Sequence, residues 1–200
     1  MNCRPGPRLS EQGNLQALIS DFLVKRTETP RDDVRCYREA TDLKSAISAA
    51  AHAKRNDGSR HSHQWRIKPE TIAQTEPAFL AAEPRIAAAR SFNELHEIIA
   101  SVCRKVNGAG VLYIYDTALR IGHFQRLAPD KVFLHAGTRE GAEQLGLGKN
   151  KAVLRMAELP APLRRLSATE VEDFLCLYKE ELRRLRKGES VDLTSKRLAC

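Results

Sequence analysis

The sequence predicts an all-α fold, a multi-helix orthogonal bundle, and three observations carry that prediction. Alternation of apolar and polar residues at period two is almost missing. Apolar residues recur instead at helical spacing, in stretches bounded by proline, glycine and capping residues. The one plausible extended run, Lys131-Val132-Phe133-Leu134, is too short to make a sheet alone. Composition agrees: 200 residues with 42% hydrophobic and 29% charged content sit in the globular range, away from disordered chains and coiled-coil fibres. At 6% aromatic, the chain is also too poor in large rings for an aromatic-rich sandwich.

After a Pro/Gly-rich start, a first helix is expected over residues 10–25, with Leu15, Leu18, Ile19, Phe22 and Leu23 on its apolar face. Residues 27–33, polar and containing Pro30, read as a linker. Thr41 is expected to cap a second helix that carries Leu43, Ile47 and an alanine run to Ala53, alanine being the strongest helix former. Residues 54–68 open on the turn signal Asn56-Asp57-Gly58 and hold five basic residues against one acid. Helical stretches follow over 69–74 and 77–89, broken near Pro77 and Pro84, because proline lacks the amide that a helix interior uses.

Ser91-Phe92-Asn93-Glu94 is a capping box, in which the serine hydroxyl serves the Glu94 amide while the glutamate reaches back. It opens a helix whose face is Leu95, Ile98, Ile99, Val102 and Val106. That helix ends at Asn107-Gly108-Ala109-Gly110, and the next runs from about Val111 to Ile121, stopped by Gly122. Thr138 begins a short helix through Leu145, closed by Gly146 and Gly148, and Pro160 and Pro162 mark the last break. A second capping box, Ser167-Ala168-Thr169-Glu170, opens a final helix to about Lys187, with Leu175, Tyr178, Leu182 and Leu185 on its apolar face. As domains, residues 1–55 are an N-terminal tail and helices, 56–187 a helical domain, and 188–200 a flexible tail.

Thirty-three Lys and Arg against 25 Asp and Glu leave a formal charge of +8, which points to an acidic partner without choosing one. No window approaches the ~18 uninterrupted apolar residues of a membrane span, so a membrane partner is not expected. Nor does an apolar stretch follow the N-terminal charge, as a secretory signal requires. The cysteines Cys3, Cys36, Cys103, Cys176 and Cys200 show no C-x-x-C pair and no zinc-type spacing to histidine. Reduced thiols in the cytoplasm, with no metal and no other cofactor, are the expectation. Cys103 and Cys176 fall in apolar helical patterns, where cysteine behaves as a small buried hydrophobe.

Val106-x-Gly108-Ala109-Gly110 between two helices, followed by Ala118 and Ile121 on the second, resembles the helix-hairpin-helix motif of DNA-binding and DNA-repair proteins. The resemblance implies that the bundle contains a helix-hairpin-helix. Its glycines would let backbone approach a ligand, and amides at the start of the second helix would face a phosphate, aided by the helix dipole. Lys105, Asn107, Gly108, Ala109, Gly110 and Arg120 are then expected on a DNA phosphate backbone, held without reading its bases. Asn107 stands where the motif often has proline. A Gly-x-Gly between helices is also an ordinary C-cap and turn, and that structural alternative stays open.

A wider resemblance, over about residues 91–147, is to glycosylases of the helix-hairpin-helix superfamily. The string from His135-Ala136-Gly137-Thr138-Arg139 to Leu145-Gly146-Leu147 is similar to the helix that follows a catalytic aspartate there. His135 occupies the aspartate's place, and Val111 and Leu112 stand where bifunctional members carry a lysine. A histidine cannot supply the negative charge that stabilises a sugar cation. The resemblance thus favours the scaffold without that chemistry, and leaves Asp130, Asp116 and His135 as candidate catalytic residues for a glycosylase acting on a damaged base. Asp116 has a structural reading too, as an i,i+4 partner of Arg120. Tyr115-Asp116-Thr117-Ala118, His135-Ala136-Gly137 and Glu172-Asp173-Phe174 are also similar to strings in a group of bacterial proteins with no assigned function.

Gly137, Thr138 and Arg139 read as a second phosphate-binding helix start, with Thr138 as cap, or as a plain helix start with His135 on the surface. In 54–68, basic residues around Trp65 suit a nucleic-acid backbone with a stacked unpaired base. The alternative is a solvated loop that Trp65 anchors to the core. His61-x-His63 lacks a third metal ligand nearby, and Arg183-Arg184-Leu185-Arg186-Lys187 reads as a solvated helix end. The expected function is sequence-independent DNA binding, of the kind used in DNA repair, with the glycosylase-like enzyme and a protein-interaction module as alternatives.

Overall fold

A computed structural model describes residues 9–28, 34–61, 64–191 and 193. These residues are mostly helical, with ten α-helices and one two-stranded antiparallel sheet. They divide into two compact units: a central unit over residues 34–130, and a split unit made of residues 9–28 and the chain from 131 onward. The expected boundary at 55/56 is not where the contacts divide. No described helix is long and apolar enough to cross a membrane.

After α1 (Leu9–Glu28), the central unit holds α2 (Arg35–Arg38), α3 (Leu43–Ala51), α4 (Pro69–Ala81), α5 (Glu83–Ala88), α6 (Phe92–Cys103) and α7 (Val111–Gln125). The cap of α3 is Asp42 and not Thr41: its carboxylate reaches the Ser45 amide at 2.7 Å, three residues on, the reach an N-cap needs. Pro77 lies inside α4 instead of breaking it. Pro77 and Ala73, whose carbonyl loses its partner, both sit on the exposed face, where water can serve that carbonyl. Thr71, Ile72, Thr75 and Phe79 bury the opposite face. The break comes at Ala82, and Pro84 then falls in the first turn of α5, where its missing amide has no intrahelical partner to lose.

Ser91 caps α6 as expected, accepting from the Glu94 amide at 3.2 Å, but the Glu94 carboxylate takes the amide of Arg90 and not of Ser91. The buried face of α6 is Phe92, Leu95, Ile99 and Cys103, with Ile98 and Val102 half-buried beside it. Burial pushes the Cys103 thiol up to about 12. Gly122 does not stop α7. The helix passes through it to Gln125 and ends where Arg126 turns left-handed at φ 60°. A Cβ on Gly122 would stand 2.6 Å from the Leu127 carbonyl oxygen, so glycine admits the returning chain. Tyr113 ties α7 to two neighbours, its hydroxyl donating to Ala51 O at 2.9 Å and meeting the Thr75 hydroxyl at 2.8 Å.

The split unit comprises α1 (Leu9–Glu28), β1 (Lys131–Phe133), α8 (Ala136–Gln144), β2 (Val153–Arg155), α9 (Ala168–Leu177) and α10 (Lys179–Lys187). The short extended run gains a partner the periodicity did not reveal: β1 pairs with β2, Val132 opposite Leu154. The second capping box forms both ways, with Glu170 N to the Ser167 hydroxyl at 3.3 Å and Ser167 N to the Glu170 carboxylate at 2.8 Å. The expected single last helix is two, interrupted at Tyr178. Leu15, Leu18, Ile19 and Phe22 of α1 are buried, whereas Leu23 is 39% exposed and lies off that face. Phe22 meets Phe174 and Tyr178 edge-on at 5.7 and 5.9 Å between ring centroids, and this packing assigns α1 to the far end of the sequence. Of the expected linker, residues 29–33 lie outside the described residues, and 27 and 28 belong to α1. Of the expected tail, 192 and 194–200 lie outside them as well.

Candidate nucleic-acid interface

Residues 104–110 join α6 to α7. The chain leaves α6 by tightened bonds, Lys105 N to Val102 O at 3.2 Å and Val106 N to Cys103 O at 2.9 Å. Gly108 then takes φ +87°, a left-handed conformation that a Cβ disfavours, and a Cβ here would also lie 2.6 Å from the Thr71 hydroxyl oxygen. That hydroxyl donates to Asn107 O at 3.0 Å, so the first turn of α4 fixes the connection. Gly110 is the N-cap of α7, with extended backbone at φ −78° and ψ 178° and no side chain to accept from the first amides of the helix. A Cβ on Gly110 would meet nothing within 4 Å. Val111 is 64% exposed, and Arg104, Lys105, Asn107, Gly108 and Gly110 are exposed around it, with Ala109 half-buried.

The basic segment 54–68 is fastened to α2 and α7 of the same unit. Its first half is held by the Tyr37 hydroxyl, which donates to Lys54 O, by Cys36 N donating to Asn56 Oδ1 at 2.8 Å, and by an isolated bridge between Lys54 and Arg60. Its second half is held by Gln64, which is 2% exposed. The Gln64 amide nitrogen donates to the Asp116 carboxylate, and its oxygen accepts from Arg120 Nη1 at 2.7 Å. Trp65 is not the anchor that sequence suggested; it is 67% exposed, with the Arg66 guanidinium 5.3 Å from its ring centroid. No pattern in the sequence marks Gln64 or Thr71 as the fasteners, because each works through a partner more than thirty positions away.

Arg120 departs from its expected place on a phosphate. It is 5% exposed, pairs with Asp116 at 3.5 Å one helical turn away, and donates to Gln64. Desolvation of its charge is balanced inside the protein, which leaves Lys105 and Arg104 as the exposed cations of this connection.

The second expected anion site belongs to the split unit. Helix α8 starts at Ala136, two residues before Thr138, so His135 holds the N-cap position and Thr138 sits inside the first turn. The Thr138 hydroxyl is fully buried and donates to the Glu172 carboxylate at 3.0 Å on α9. Gly137 packs over Cys176, whose sulfur would lie 2.6 Å from a Cβ there. Arg139 spends its guanidinium on the carbonyls of Leu134 at 2.9 Å and Lys151 at 2.7 Å. These residues bind protein groups, and the open helix start expected from Thr138 as a cap is not formed by it.

The three candidate catalytic residues fall in different units. Asp116 is buried in the network just described, and Asp130 is exposed and accepts from Asn93 Nδ2 at 3.1 Å, both in the central unit. His135, in the split unit, is 8% exposed and bonded to Glu172 and Thr138, so it is not the surface residue of the simpler expectation. Among the described residues no three His, Cys, Asp or Glu side chains gather as a metal site would require. His63 lies outside those residues. Comparison with family models, with curated proteins and with solved structures returns no match to this chain.

Proposed function

We propose that the central unit binds the DNA phosphate backbone, without reading bases, through the connection between α6 and α7 acting as a helix-hairpin-helix. One observation carries this reading. The start of α7 is exposed and has glycine in its cap position, so no side chain of its own competes for the first amides. A phosphate is the group that amides at such a helix start accept best, since the dipole and the N–H directions both favour an anion. Lys105 and Arg104 stand exposed before it and add the charge that draws polyanions. Thr71, clamped on Asn107 O and Gly108, holds the connection in place before a ligand arrives.

The experiment is a binding titration of labelled duplex DNA over a range of salt, with Gly110→Asp as the probe. Affinity should fall steeply as salt rises, since contact with phosphates releases counterions. Asp at an extended N-cap caps the first amides itself and is more favourable there than glycine by only about a few tenths of a kcal/mol. It also places a negative charge where the phosphate would sit. Gly110→Asp should therefore keep or slightly raise the melting temperature while it weakens DNA binding. A variant with undiminished stability and undiminished affinity for DNA sinks the proposal, as does wild-type protein that binds no duplex at low salt.

A further inference from the structure

Resting on that reading, we infer that the central unit stacks an unpaired nucleobase on Trp65, so that its preferred ligand is a single-stranded stretch of DNA beside the backbone held by α7. A large aromatic side chain at 67% exposure is hard to explain by packing, since burying such a ring is among the more favourable terms a fold can use. Here the neighbouring residue takes the buried place. Gln64 is inserted against Asp116 and Arg120 of α7, and that insertion turns Trp65 outward.

The exposed ring also lies six residues before Thr71, the residue that touches the α6–α7 connection. The segment is fixed to the buried side of α7 at Gln64 and to the α6–α7 connection at Thr71, so residues 65–70 lead from that buried network to the connection of the proposed interface. Within this span Arg66 and Lys68 are exposed, and Lys54 is exposed further back. Glu70 is the exposed acid of the span, and the Asp57 carboxylate is taken by the Ser59 amide and hydroxyl at 2.9 and 2.6 Å. The balance is cationic. Arg66 lies over the indole at 5.3 Å, an arrangement that leaves a planar cation and a planar ring together, the pairing used to hold bases and phosphates of a single strand. A paired base offers no face to such a ring, whereas every unpaired base does. Duplex contact by the α7 amides alone would not need it.

Trp65 is the sole tryptophan, so its fluorescence reports this position alone. Oligothymidine should quench the emission and bind more tightly than a duplex of equal length. Trp65→Ala should lower the ratio of single-strand to duplex affinity roughly tenfold, and Trp65→Phe should restore most of it. Gly110→Asp, in contrast, should lower both affinities together. Binding of both ligands with no quenching, and an unchanged ratio in Trp65→Ala, overturns the stacking inference and leaves the backbone reading standing. No binding to either ligand at low salt overturns both. Quenching by oligouridine but not by oligothymidine overturns DNA as the source of the base.

Discussion

Gln64 meets Asp116 inside the central unit, its side-chain amide donating to a carboxylate 52 positions further along the chain. The contact has a fixed sense, because the other end of the same amide accepts from Arg120. An amide has one donor end and one acceptor end, and the ion pair on α7 presents a matching acceptor and donor. The pair, itself an i,i+4 contact visible in the sequence, thus becomes the socket for a residue from a distant loop.

Replacing Gln64 with leucine should leave the buried carboxylate and guanidinium each short of a partner, at a cost of about 1–3 kcal/mol. Gln64→Glu should be worse near neutral pH, since it turns an acceptor toward Asp116 where a donor stood. Urea unfolding of the two variants measures this. Leucine with an unchanged midpoint would show that the socket contributes nothing.

Gly141→Ala reverses the usual rule for helices. In an exposed helix interior, alanine is about 1 kcal/mol more favourable than glycine. At Gly141 of α8 the added methyl carbon would fall 2.0 Å from the Leu175 carbonyl oxygen of α9, backbone that cannot swing aside. The substitution should destabilise the protein by more than about 2 kcal/mol, as overpacking against main chain does. A melting temperature equal to or above wild type would contradict this close approach of the two helices.

Acid should weaken the protein before its carboxylates titrate, through His123. Burial, with Arg38 and Arg120 nearby, lowers this histidine from 6.5 to about 4. The folded state therefore prefers the neutral ring. Its contribution is complete above pH 6.5, where the unfolded ring is neutral as well, and is lost as pH falls from 6.5 to about 4. Carboxylates that folding holds below their ordinary values, such as Asp42 at the Ser45 amide and Glu76 at the Ser48 hydroxyl, act only at lower pH. His123→Gln should flatten the stability profile between pH 6.5 and 4.5. Parallel profiles for variant and wild type would remove His123 from this role.

What the sequence made legible was local. Both serine caps, the turn at Gly58 and the Asp116–Arg120 pair rest on residues within four positions of each other, and the structure has them all. Local signals misled where a longer-range fact intervened. Gly122 looks like a helix stop until Leu127 O is seen against it, and Pro77 looks like a break until its exposed side of α4 is known. Tyr178 continues a helical face by spacing, yet the chain changes helix there and its hydroxyl donates to Asp21 at 2.6 Å. In the candidate interface, the glycines were readable and their surroundings were not. Thr71 and Gln64 act across gaps that no spacing rule covers, Arg120 looked available by charge although it is buried, and Trp65 looked like an anchor although it is exposed.

The packing of Phe22 on Phe174 and Tyr178 has a consequence for biosynthesis. The ribosome delivers α1 before the central unit, but the rings that bury its face are encoded after it. Every contact of the central unit can form in the meantime, since all its helices emerge between the two halves of the split unit. During translation the stripe Leu15, Leu18, Ile19 and Phe22 therefore stays without its native cover while the central unit folds, so the burial of α1 waits on the last helices of the split unit.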